Sequence, residues 1–275
     1  MTAPVGTVAD RLAWLNGITL AAGSHVGPAN GACIMEAVSY VAGEAWSDSP
    51  ACVSPAIAAF MRRWNDCLLG AARERLLKPL LLDVLDTATT PEDENARAWM
   101  ALDWMTRVSA PAWLRLAGLG EQADAMSAMA PLVDITSADA GRATMGAAKD
   151  AAHAAARAAR EARHAAARAT REASAAARDA ASHEAAEAVR MAAAAQAASA
   201  AMHAVVVVHA TARADAGAAA WDAARAGAVI TAWDAALAAA WAAPGERLDH
   251  TVAELQESAA DLVRRMCAIG RGGAS

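Results

Sequence analysis

"HAAARAAREARHAAARATREAS" (residues 153–174) is two copies of one 11-residue unit, beginning at His153 and His164. Eleven residues make three helical turns at about 3.67 residues each, so the pattern returns to the same face with little drift. In each unit the histidine, the flanking arginines and the Arg-Glu pair gather on one side, and the opposite side is alanine alone. An alanine face buries little area, at roughly 25 cal/mol per Å², but it lets a second helix approach closely through many small contacts. The repeat lies in a run from Leu132 to Ala243 that contains no proline. As one helix the run would span roughly 165 Å at 1.5 Å per residue, too long for a compact protein. It must fold back, and Ser182, Gly217 and Gly227 are the expected turns. Long alanine-rich helices packed antiparallel, as a hairpin or bundle, follow.

The rest of the chain is also helical in rhythm, with no convincing alternating strand. "VADRLAWLNGITLA" (8–21) places Val8, Leu12, Leu15 and Ile18 on one face. "GSHVGPANGA" (23–32) is a loop, since three glycines and a proline exclude a helix. "CIMEAVSYVAG" (33–43) reads as a short helix closed by Gly43. Ser54 caps the next helix, "PAIAAFMRRWNDCLL" (55–69), with Pro55 at its first position. Pro79 is expected to bend or split "ARERLLKPLLLDVLD" (72–86). Thr90, Pro91 and the acids after them start another helix, which Pro111 ends or kinks. In "TVAELQESAADLVRRMCAIG" (251–270), Val252, Leu255, Ala259 and Leu262 share one face, so this helix docks back. The fold class is all-α, with a compact helical domain over 1–136 and an alanine-rich helical region over 137–275.

Composition bounds the function. The 275 residues carry a formal charge of −6, with no global attraction to nucleic acid or anionic membrane. Residues 1–140 hold 9 basic and 16 acidic side chains, a net of −7; residues 141–190 hold 9 and 6, a net of +3. No secretory signal and no apolar run of membrane-spanning length is evident. Four cysteines suit a reducing cytoplasm better than a disulfide scaffold. The expected location is cytoplasmic, away from membranes.

Chemistry-bearing residues crowd into "CIMEAVSYVAGEAWSDSPACVSP" (33–55), with His25 just upstream. On a helix, Cys33, Glu36 and Tyr40 lie on one stripe, and His25, Asp48 and Cys52 could converge on it from loops. Three readings are open. His25, Cys33 and Cys52 with a carboxylate make a workable Zn²⁺ set, although the spacing matches no recognised zinc pattern. Alternatively Cys33 is a nucleophile at a helix start, with His25 as base and Glu36 or Asp48 orienting it, and the glycine-rich loop 27–31 supplies an anion hole. The first choice is architectural: Cys33 and Cys52 as small buried hydrophobes, Ser47 and Asp48 shaping the turn before Pro50, Glu36 pairing with Arg62 or Arg63, and Asp66 binding a backbone end. Such a hydrogen-bonded cluster fixes how short helices meet.

Arg157, Arg160, Arg168, Arg171 and Arg178 form a second candidate, an arginine face that could follow a phosphate backbone. Glu161 and Glu172 interrupt it, and no aromatic residue is interleaved for base stacking. A solvated face laced with i,i+4 ion pairs explains it more simply.

The elements "GSH" (23–25), "CIMEAVSYVAGEAWSDSP" (33–50), "WND" (64–66), "AWLRLAGL" (112–119) and "WDAA" (221–224 and 233–236) resemble a family of bacteriophage and high-GC bacterial proteins with no established activity. Its members share a Gly-x-His, Cys-x-Met-Glu-Ala, Ala-Gly-Glu, Ser-Asp-x-Pro and Asn-Asp signature, followed by an alanine-rich half. They usually carry His between Asp and Pro, where this sequence has Ser49, so a scheme needing a second histidine loses it. The resemblance implies a phage-type setting, in which nucleotide or nucleic-acid chemistry is conceivable.

The functional expectation is a binding or assembly protein acting through its alanine-rich helices, on itself, on a protein partner, or on nucleic acid along the arginines. The alternative is a hydrolase or transferase using His25, Cys33, Glu36 and Asp48, with or without metal.

Overall fold

Helix starts recur in this chain as one device, a side chain at the N-cap that exchanges hydrogen bonds with a residue three positions on. Thr7 and Asp10 do this for α1 (Val8–Gly17), and Cys33 and Glu36 for α2 (Ile34–Ala42). Ser54 caps α3 (Pro55–Cys67), its hydroxyl accepting from the Ile57 amide at 3.3 Å. After α4 (Gly70–Leu77), Pro79 forces a single 3₁₀ turn, Lys78–Leu80. Thr90 and Asp93 then open α5 (Pro91–Trp104). Asp134 and Ser137 exchange the same bonds at the start of α8 (Ile135–Ala173). Hydrogen bonds hold three of these carboxyls below their ordinary range: chiefly from the Thr7 hydroxyl for Asp10, from the Thr89 hydroxyl and then Thr90 for Asp93, and from the Ser137 amide for Asp134.

The computed structural model describes residues 6–173 and 245–271. Among them the chain is all-α: no strand forms, and Leu20 and Ala32 make one isolated bridge. No described helix is long and apolar enough to cross a membrane. The described residues divide into two units, one of residues 6–102 and 256–271, the other of 103–173 and 245–255. The division falls inside α5 and inside α9 (Gly245–Ala268), whereas the sequence pattern placed a boundary at 136. Contacts explain the difference. Helices α6 (Ala110–Leu116) and α7 (Gly120–Ser127) pack on each other, and α7 packs on α8, so they belong with the alanine-rich helix.

Pro111 does not end its helix. A π-turn, Met105–Ser109, precedes it, closed by the Ala110 amide bonding to the Met105 carbonyl. Pro111 offers no N–H to the turn before it and crowds that turn with its ring; the wider turn carries the chain past it. This stretch leaves Thr106 Oγ1, Ser109 Oγ and Trp113 Nε1 buried without a hydrogen-bond partner among the described residues. An unpaired buried hydroxyl costs free energy that an isosteric methyl does not. Thr106→Val and Ser109→Ala will therefore each raise the denaturant midpoint, by about 0.5–1.5 kcal/mol of stability. A lower midpoint in both would show that these hydroxyls are satisfied.

Along α8 the buried positions are Ala138, Gly141, Met145, Ala148, Ala152 and Ala156, one stripe at three- and four-residue spacing. The first tandem unit is continuous helix, as its 11-residue period requires, and the helix runs on to Ala173. The expected turns at Ser182, Gly217 and Gly227, and the antiparallel return of the helices, lie outside the described residues.

Candidate functional site

The carboxylate of Glu36 is the centre of the polar cluster. Glu36 is the third residue of α2, so its side chain curls back over the helix start. It is only 2% exposed and accepts three bonds: from the Cys33 amide at 2.7 Å, the His25 amide at 2.6 Å and the His25 ring Nδ1 at 2.8 Å. Cys33 takes the place usually held by serine or threonine, its Sγ accepting from the Glu36 amide at 3.4 Å. Loop 20–33 is thus tied to the first turn of α2.

Gly31 makes this approach possible, and Gly43 closes the other end of the helix. Gly31, at φ 102°, lies so near the imidazole that a Cβ would stand 3.0 Å from His25 Cδ2 and 3.2 Å from Nε2. Gly43, at φ 80°, closes α2 with its amide bonding back to Ser39 and Tyr40.

The loop after α2 is held in the same manner. Glu44 accepts the Ala51 and Cys52 amides at 2.6 and 2.8 Å. The Ser39 hydroxyl accepts the Ser47 amide at 3.2 Å, and Trp46 Nε1 donates to the His25 carbonyl at 2.8 Å. Half-buried Trp46 packs edge-on to Trp14 and Tyr40, whose own rings are 4.3 Å apart. Behind the cluster, buried Asn65 accepts the Ile34 amide at 3.1 Å and donates to the Ala21 carbonyl at 2.8 Å.

The structure brings together His25, Cys33 and Glu36, and places Asp48 and Cys52 in other contacts. The Asp48 carbonyl accepts Arg62 Nη1 at 2.8 Å, and its carboxylate accepts the Ser49 hydroxyl at 3.1 Å. The same arginine reaches the Ser49 hydroxyl, at 2.9 Å. Of the two arginines expected to pair with Glu36, Arg62 or Arg63, the first is corrected here: Arg62 is engaged by the 48–49 turn, and as a capping residue Glu36 points back to its own helix start. Asp66 does bind a backbone end, the Gly23 amide at 2.8 Å. Among the described residues no three His, Cys, Asp or Glu side chains are grouped to hold a metal ion. The expected set of His25, Cys33 and Cys52 is not gathered, because Cys52 belongs to the Glu44 clamp.

Burial, aided by the neighbouring Glu36 carboxylate, pushes the Cys33 thiol up to about 12. Burial and Glu44 push Cys52 up to about 11, and burial does the same to Cys267. A nucleophilic thiol needs the opposite shift. Native protein will therefore react slowly with an aromatic disulfide reagent at pH 8, and all four thiols will react once it is denatured; rapid native labelling of Cys33 would contradict this. Each of these folded-state values exceeds the ordinary 9.0, so the contribution is whole below pH 9 and is lost as pH climbs towards 11–12. Thermal stability should be level from pH 7 to 9 and fall above it.

What the site offers chemically is the imidazole. Glu36 accepts from Nδ1, which fixes the proton of the neutral ring there and leaves Nε2 as an acceptor with no partner among the described residues. The His25 side chain keeps 14% of its surface exposed.

On α8, Arg157 and Arg160 are exposed, with Glu161 beside them. The side chains of Arg168 and Arg171, and all of Arg178, lie outside the described residues. Sequence reasoning missed Glu44, Trp46 and Asn65. Glu44 and Asn65 did carry a signal, standing in the Ala-Gly-Glu and Asn-Asp elements, and Asn65 is also a polar residue on the apolar face of α3.

No protein-family model, curated protein or solved structure matches this chain.

Proposed function

We propose that this is a binding or assembly protein whose working surface is the alanine stripe of α8. The observation that supports it is the exposure of Ala154, Ala158, Ala162 and Ala165 on one side of that helix, spaced i, i+4, i+8 and i+11. The stripe repeats with the 11-residue unit, so it is a property of the pattern and not of one turn. Small side chains let a second helix approach at the short end of the usual 8–10 Å separation. The partner is a helix of similar character, a second copy of this chain or another alanine-rich protein. The chemistry of 33–55 fits this role, because most of its polar groups hold the loops of the first unit in place.

Sedimentation across a hundredfold concentration range tests the self-association form of the reading. The mass should rise with concentration and stay monomeric in an Ala158→Glu/Ala162→Glu variant. A monomer at every concentration, with no helical protein captured by the wild type and lost by the variant, would overturn it.

A second reading rests on His25 Nε2. An imidazole held by a buried carboxylate, with no partner for its other nitrogen among the described residues, has the pairing of a general base, and it supports a hydrolase or transferase that uses His25 with Glu36 as its positioning residue. Activity towards phosphate or acyl esters that disappears in His25→Gln, with the fold intact, would favour it; equal turnover by the variant would remove it.

A further inference from the structure

The second unit contains a groove that neither reading uses. It has a volume of about 500 Å³ and lies between α6 and the first turns of α9. Arg115, Arg247, His250, Thr251 and Glu254 give it a polar lining, and Ala112 and Leu116 an apolar one. Only Glu254 brings negative charge, and it is paired with His250 at 3.2 Å. Arg115 bonds through Nη2 to Asp124 and Ser127 at 2.9 and 3.2 Å, which fixes its side chain and leaves its other guanidinium donors uncommitted. Arg247 is exposed and has no partner among the described residues. It stands in the first turn of α9, where the unsatisfied amides of the helix add positive potential. Thr251, nearly buried at 9% exposure, brings a hydroxyl to the wall.

We infer that this groove binds a small organic anion, a phosphate or carboxylate joined to a compact apolar body. Two guanidinium groups suit either acid, since each presents a planar fork to a pair of oxygens. The volume falls in the range of small-molecule sites and exceeds the need of a bare inorganic ion. Ala112 and Leu116 call for apolar atoms behind the acid. The inference is independent of the assembly reading, which concerns α8.

The test is isothermal titration of the full chain with phenyl phosphate, benzoate and inorganic phosphate. Saturable binding of at least one organic probe is expected, weakened about tenfold in Arg247→Gln and unchanged in Arg264→Gln, an exposed arginine farther along α9. Arg247 is exposed and has no partner among the described residues, so its variant is expected to melt like the wild type; the melting curve is recorded beside the titration. Absence of saturation with both organic probes, or equal weakening in the two variants, would overturn the inference. Inorganic phosphate binding as tightly as phenyl phosphate would refute the apolar part of the site.

Discussion

Glu36→Ala will destabilise the protein by about 3–5 kcal/mol, a large share of the 5–15 kcal/mol that holds a typical domain. The carboxylate accepts two backbone amides and a ring nitrogen in a place where water hardly reaches it. Its removal leaves the Cys33 and His25 amides without acceptors and frees loop 20–33 from α2. Buried donors left unmade cost roughly 1–3 kcal/mol each. Glu36→Gln should recover little of this, because an amide turns one of its two ends into a donor facing donors. Cys33→Ser is the contrasting change: serine is a better N-cap than cysteine, so the capping bond survives and the loss should stay near 1 kcal/mol or less. Equilibrium denaturation of the three variants measures the ranking, and a Glu36→Ala loss below about 1 kcal/mol would show the cluster to be decoration.

Arg97→Met is expected to cost about 3 kcal/mol or more. Its side chain is 0% exposed, and Nε and Nη2 donate to the Met266 and Ile269 carbonyls at 3.1 and 2.8 Å. Nη1 donates to the Thr89 hydroxyl at 3.1 Å and pairs with Glu94. One guanidinium thus closes the C-terminal end of α9 and ties it to the start of α5. Methionine fills similar space but leaves those carbonyls and Glu94 without their cation, so it separates volume from charge. Lysine should rescue only partly, since one ammonium cannot reach four acceptors in a plane. Hydrogen exchange at the last turns of α9 should quicken in Arg97→Met before the rest of the unit opens. Unchanged protection there would assign the arginine no part in holding the helix.

These two residues also mark how far the sequence could be read. Helix starts were legible because they obey local chemistry. Thr90, Ser54 and Gly43 stand where the pattern of caps and breakers puts them, and Pro79 splits its segment as expected. His25, Cys33 and Glu36 were recognised as a group, since two lie on one helical turn and the third on a loop rich in glycine. Which of them would bond was not legible. Glu36 could curl back to its cap or reach forward to Arg62, and only the position of loop 20–33 decides. Arg97 gave little signal: within "NARAWM" it looks like a helix-surface residue paired with Glu94, and the two carbonyls it holds on α9 are 169 and 172 residues away. The π-turn was hidden for a related reason, as Pro111 announces a disturbance without saying whether the helix ends or widens.

The account of the polar cluster rests on Glu36 fixing His25 in one tautomer, with Nδ1 protonated and Nε2 left as an acceptor. ¹⁵N-detected NMR of the neutral imidazole measures this directly. A protonated Nδ1 and a bare Nε2, lost together in Glu36→Ala while the helices persist, is the predicted result. A ring protonated at Nε2, or one averaging freely between tautomers in the wild type, would contradict it.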